Sequence, residues 1–278
     1  MKKFITLGFF LLNISLSIFA QKQDFEKYIT KSKDWKETPD TKWEALLTSS
    51  KGSLQYVGAQ HLDDPRHQQF EDIKRKWNDF KPTIAFYEGP DRGIANNDTL
   101  TIQKFGESGY VRYLAKQLNI PTKGLEPPIA DLYRYLVSKY PQNKVDMYML
   151  SKEAMRLRTR KRLSKDELTI EITKMITAVA QMLGRDISIK SIDELAIVFE
   201  QNFGKETAWW EAPATWFDPQ EDNVRVTNQL AVLSTEYRNV YMVKVLSESI
   251  NKGEKVFAVV GRNHVPLQIK AIKYSTGL

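Results

Sequence analysis

The chain has three histidines, and two of them follow a glycine by three residues: Gly58-Ala59-Gln60-His61 and Gly261-Arg262-Asn263-His264. Each motif closes an apolar run, "LQYV" before the first and "KVFAVV" before the second. A third apolar run, "TIAFY", ends in Glu88. Imidazole and carboxylate are the groups that hold a divalent cation through nitrogen and oxygen, or pass a proton near neutral pH. Glycine ahead of each histidine lets the backbone turn or another group come close, because it has no side chain. The alternative is two loop turns whose histidines are satisfied by backbone carbonyls. Metal ligand and general base stay equal readings on residue type alone.

Such groups meet only if the elements beneath them deliver them to one place. Leu54–Gln60, Thr83–Tyr87 and the run before Gly261 read as buried strands, and a shorter one could close at Gly124-Leu125-Glu126. A short helix is expected at about 42–48. Others are expected from Asp63-Asp64-Pro65 to about Phe80, over about 109–118, at about 224–251, and from near Pro266. Strands alternating with helices specify a mainly parallel α/β sheet with helical crossovers. In such sheets ligands sit beyond the carboxyl ends of the strands, where His61, Glu88 and His264 fall. The segment at about 130–223 is helical in pattern and reads as a large insertion into a single domain spanning 21–278, with "DELTIEITKMITAVAQMLG" and "SIDELAIVFEQNF" its clearest amphipathic stretches.

Composition narrows the chemistry. Without cysteine there is no disulfide, no thiolate metal centre and no cysteine nucleophile. No Gly-x-Ser-x-Gly elbow occurs, so water is the expected nucleophile. Residues 1–20 carry Lys2 and Lys3, an apolar stretch and Ala20, the pattern of a secretory signal peptide. Export to a periplasm or beyond the cell is therefore expected, with no lipid anchor, since that needs a cysteine, and no stable membrane span after cleavage. The formal charge of +7 falls when the signal leaves. The remaining mild excess argues weakly for anionic surfaces and hardly at all for nucleic acid; a peptide or small-molecule substrate and no nucleic-acid partner are expected.

The paired motifs, with a glutamate after the second strand, resemble the TraB/GumN/Tiki superfamily, to which erythromycin esterases and the ChaN haem-binding proteins are more distantly related. "KGLEPP" is similar to that group's Gly-Leu-Glu element and brings in Glu126. "STEYRNVYMVKVLSESINKGEKVFAVVGRNHV" resembles its arginine-bearing helix and brings in Arg238. The resemblance implies an α/β fold with both Gly-x-x-His strands at one cleft. It further implies peptide or ester hydrolysis, with His61, His264 and Glu88 or Glu126 holding Mn, Co or Zn and the other carboxylate activating water. Through its esterase and haem-binding relatives it implies two alternatives, metal-free hydrolysis and haem or metal binding without turnover. Arg238 would stabilise developing negative charge or orient a carboxylate; the competing reading is a structural salt bridge to Glu88 or Glu126. The first motif departs from the group, which often has Thr or Ser where Ala59-Gln60 stands. The central "MRLRTRKRLSKDE" has no counterpart, so substrate preference does not carry over.

Two features lie outside this pattern. The basic run Arg156–Arg162 could meet an anionic substrate or lipid head group, or be a solvated helix face. Trp209, Trp210 and Trp216 could contact substrate, or pack beneath a proline-rich loop.

Overall fold

A computed structural model gives the fold and describes residues 24–184, 186–221 and 224–277. The expected signal peptide, 1–20, lies outside the described residues. By contact the chain divides into two compact units. Among the described residues, one holds those up to Thr30, Glu37–Leu125 and those from Asn239; the other holds Lys31–Lys36 and those within Glu126–Arg238. The helical unit is thus wider than the insertion expected at 130–223.

The first unit is built on five strands: β1 Glu44–Thr48, β2 Ser53–Ala59, β3 Ile84–Tyr87, β4 Thr122–Gly124 and β5 Lys255–Gly261. Their order in the sheet is β1-β2-β5-β3-β4, parallel except for the β1–β2 hairpin. The fold is α/β with a mainly parallel sheet, as the alternating pattern requires. Helix α1, Gln68–Phe80, and helix α2, Asp98–Gln117, cover one face. Phe70, Ile73, Trp77 and Val111 pack there on Val57, Phe257 and Val259. Helix α7, Val226–Asn251, supplies Met242, Leu246 and Ile250 to the other face. These meet Tyr56, Phe86 and Ala258, together with Val265 and Ile272 of helix α8, His264–Thr276. Burial on both faces explains why these strands read as continuous apolar runs rather than alternating ones.

Three local expectations are corrected. Residues 42–48 form no helix. Glu44–Thr48 is β1, whose Leu47 is buried while Leu46 is 62% exposed, because pairing with β2 outweighs the helical propensity of "EALLT". Helix α1 starts after His67, which caps it by accepting from the Gln69 amide at 3.3 Å, rather than at the Asp63-Asp64-Pro65 signal. Asp64 instead forks the Arg66 guanidinium. Helix α2 starts eleven residues earlier than 109 and bends at Gly106, whose φ of 59° and ψ of −151° interrupt it.

The helical unit comprises α3 Ile129–Val137, α4 Gln142–Lys161, α5 Lys165–Leu183 and α6 Ile192–Phe203, together with the first half of α7. A capping box between Ser164 and Glu167 starts α5, and Gly184, at φ 61°, ends it. Buried Asp146 of α4 accepts from the Tyr133 hydroxyl at 2.7 Å and the Ser188 amide at 2.6 Å, which ties the α5–α6 connection down. Among the described residues no helix is long and apolar enough to cross a membrane.

Candidate active site

Strand β5 lies between β2 and β3, so the three carboxyl ends stand side by side. Helices α1 and α2 pack on one face of the sheet and α7 and α8 on the other. His61 follows β2, Glu88 follows β3, and Gly261 ends β5 with His264 three residues on. The ladder runs to its last rung: Ala59 is opposite Gly261, the Arg262 amide donates to the Ala59 carbonyl at 3.0 Å, and the Glu88 amide to that of Val259 at 3.2 Å.

Gly261 is the point at which His61 and Glu88 come together. Its amide donates to Glu88 Oε2 at 2.5 Å. A β-carbon placed on it would stand 3.1 Å from His61 Nε2 and 3.2 Å from Glu88 Oε2. The imidazole and the carboxylate therefore meet over its α-carbon. Gly58 has a different task. A β-carbon there would come within 2.6 Å of the Trp43 carbonyl oxygen and 2.8 Å of Arg262 Cα. Neither glycine needs a positive φ. Close approach, not a sharp turn, is what each motif requires of it.

Each histidine is oriented through Nδ1. His61 Nδ1 lies 2.6 Å from Glu107 Oε1, and a carboxylate only accepts, so Nδ1 carries the proton and Nε2 is the acceptor nitrogen. The loop bearing His61 is itself held by Gln69, whose amide group bonds both the amide and the carbonyl of Gln60, at 3.0 and 2.9 Å. The bend at Gly106 sets Glu107 and Ser108 facing the sheet edge. Ser108 donates to the Glu88 carbonyl at 2.5 Å. His264, the first residue of α8, has Nδ1 2.6 Å from Asn239 Oδ1, which also accepts from Gln268 at 2.7 Å. Gln268 in turn accepts from the Tyr56 hydroxyl at 2.7 Å. With Asn239 Oδ1 as the acceptor, His264 has the same tautomer, and its Nε2 faces Glu88, whose Oε1 is 3.6 Å away. Burial, with the Glu88 charge adding to it, holds the Tyr56 phenol well above its ordinary range, so it stays a donor. The His264 side chain is 9% exposed and that of His61 40%, so solvent reaches the cluster from the His61 side.

His61, Glu88, Gly261 and His264 are thus assembled within the sheet unit. Glu126 and Arg238 are in the helical unit, paired with each other: Arg238 Nε donates to Glu126 Oε2 at 2.8 Å and its Nη2 to Oε1. This is the salt-bridge alternative foreseen for Arg238. Trp209 is buried, Trp210 lies under the Lys165 ammonium, and Trp216 stacks on Phe199. All three take part in the core packing of that unit.

Two imidazoles turned toward a carboxylate, each steadied by an oxygen on its other nitrogen, are the donor types and outer partners that metal-binding histidines use. They do not close into a three-ligand group. Among the described residues no three His, Asp or Glu side chains do.

Glu107, Asn239, Gln268 and Tyr56 were not singled out from the sequence. Glu107 had a usable signal, an acid directly after a glycine inside an apolar-periodic stretch. Asn239 follows the arginine of the long helix. Tyr56 and Gln268 had no signal, since each joins the site only through pairing 212 residues distant in the chain. Comparison with protein families, with curated proteins and with solved structures yields no match to this chain.

Proposed function

We propose that the protein is an exported hydrolase of the TraB/GumN/Tiki type that cleaves a peptide or ester bond with water activated at the His61–Glu88–His264 cluster. The observation that carries this reading is the Glu88 carboxylate between two imidazoles: His61 beside its Oε2 over Gly261, and His264 Nε2 3.6 Å from its Oε1, with the two Nδ1 atoms committed to Glu107 and Asn239. Glu88 receives the proton of a water held between it and His264 as the water oxygen adds to the carbonyl carbon. The Glu88–His264 pair then returns that proton to the departing amine or alcohol. His61, on the open side, orients the scissile group. The Gly261 amide keeps the carboxylate in place through both steps.

A divalent cation, Mn, Co or Zn, belongs to this proposal as the resident cofactor. His61, His264 and Glu88 carry the donor atoms for it, although among the described residues they do not close around one point and would have to draw together to hold it; when bound it would supply a Lewis acid for the carbonyl. Hard-to-borderline ions suit this mixed nitrogen and oxygen set. The experiment is metal analysis of the mature protein purified without chelator, beside His61→Ala, His264→Ala and Glu88→Gln. The same proteins go through peptide and ester substrate screens with and without added Mn, Co and Zn. Glu88→Gln is expected to lower kcat by about 10²–10⁴-fold. Turnover that survives in Glu88→Gln and His264→Ala at the wild-type rate would sink the assignment, as would a wild-type protein inert to both bond types. N-terminal sequencing of the exported chain checks cleavage near Ala20.

A further inference from the structure

The helical unit contains a cavity of about 510 Å³, in the range of small-molecule sites. Its apolar wall is Ile129, Leu132 and Leu136 with three methionines, Met149, Met155 and Met175. Methionine is unbranched and polarisable, so such a wall adapts to a flexible aliphatic occupant.

The charged lining is asymmetric. Lys152, Arg156, Arg160 and Arg238 face Glu126 and Glu153 alone. Arg156 forks Glu153, and Arg238 forks Glu126, so these two acids are already neutralised by two of the four cations. Two positive charges remain. The Lys152 ammonium donates to the Tyr148 hydroxyl at 3.0 Å and lies over that ring, contacts that leave its charge uncompensated. Arg160 is exposed and makes no ion pair among the described residues. Lys152, Arg156 and Arg160 succeed one another four residues apart along α4, so they form one basic stripe beside the apolar wall. The basic run noted in the sequence therefore splits. Arg158 turns away to the carbonyl oxygens of Trp210 and Ala212, and Arg156 and Arg160 turn to the cavity.

We propose that this cavity binds a single-chain amphiphilic anion, an aliphatic chain ended by a carboxylate or a phosphate. The chain lies on the methionine and leucine wall, and the head is drawn to the basic stripe of α4. A cationic amphiphile is disfavoured by the same two uncompensated charges, and a short anion lacks the apolar contact.

The test is calorimetric titration of the full mature chain with four probes: laurate, dodecyl phosphate, dodecyltrimethylammonium and acetate. It reads binding without turnover, so it stands or falls independently of the hydrolytic reading. Saturable binding of laurate or dodecyl phosphate at one per chain is expected, with neither of the other probes binding. The tighter of the two anions identifies the head group as carboxylate or phosphate. Arg160→Glu together with Lys152→Gln should weaken that anion by roughly ten-fold or more. Met175→Trp, which fills the cavity, should abolish binding. If that variant does not fold, Met155→Phe carries the same test by partial filling. No saturable binding of either anion overturns the proposal. So does equal affinity for dodecyltrimethylammonium, or affinity unchanged in both the charge and the filled variants.

Discussion

Adding one methyl group to each motif glycine should produce opposite failures. In Gly58→Ala the new carbon would stand 2.6 Å from the Trp43 carbonyl oxygen, 2.8 Å from Arg262 Cα and 3.1 Å from the Arg262 carbonyl oxygen. All three are backbone atoms, fixed by the β1–β2 and β2–β5 ladders. Relief requires moving a strand or the turn after β5, an overpacking cost of about 1–3 kcal/mol or more. In Gly261→Ala the nearest atoms, at 3.1 and 3.2 Å, are side-chain ends, His61 Nε2 and Glu88 Oε2. They need yield only a few tenths of an ångström, and His61, 40% exposed at its side chain, has room to do so. Stability should therefore change by less than about 1 kcal/mol. The catalytic geometry should suffer instead, by less than the roughly 10²-fold in rate that a full 1 Å displacement of reacting groups costs. Thermal and urea melts of both variants measure the first quantity. The second is read from hydrolysis, and from the histidine ¹⁵N shifts, which are resolvable with only three imidazoles in the chain. Gly58→Ala melting with the wild type, or Gly261→Ala losing as much stability as Gly58→Ala, would refute the argument from close approach.

Further outcomes are expected. Glu107→Gln keeps the shape but not the charge that fixes the His61 tautomer, and should lower activity or metal retention by about 10–100-fold in kinetic and metal-content assays. Gly106→Ala forces a side chain into the conformation at φ 59°, ψ −151° and toward the Leu62 carbonyl at 3.1 Å. It should cost about 1–3 kcal/mol in denaturant melts and shift the His61 resonances. The Tyr56 phenol is raised in the folded protein, so its contribution is intact below pH 10, its ordinary value, and erodes above that as the unfolded chain ionises first. Tyr56→Phe should flatten this alkaline slope in pH-dependent melts. It should also cost about 1–3 kcal/mol by leaving Gln268 Oε1 without its buried donor. Two-dimensional ¹H–¹⁵N spectra should report His61 and His264 both as Nδ1–H tautomers. An Nε2–H form at His264 would mean that the Asn239 amide faces the other way.

Much of the scaffold was legible because it is written in local patterns. Apolar runs ending at Gly58, Tyr87 and Gly261 gave three of the five strands, the amphipathic stretch ending at Gly184 gave α5, and the two Gly-x-x-His motifs named both histidines. Local patterns misled where a partner elsewhere in the chain decided the outcome. β1 is a strand only because β2 offers it a ladder, and α2 bends at Gly106, where a β-carbon would stand 3.1 Å from the Leu62 carbonyl oxygen.

By itself the sequence determined that His61, Glu88 and His264 sit at strand ends, for that follows from periodicity and from where each run stops. It did not determine what holds them. Strand order put β5 between β2 and β3, and that choice made Gly261 the meeting point of the His61 imidazole and the Glu88 carboxylate. Tertiary packing brought Glu107 and the Asn239–Gln268–Tyr56 line to the histidines. It also gave Arg238 to Glu126. The physical reason is the same in each case. A hydrogen bond between residues far apart in the chain depends on distances set by folding, and no local spacing encodes them.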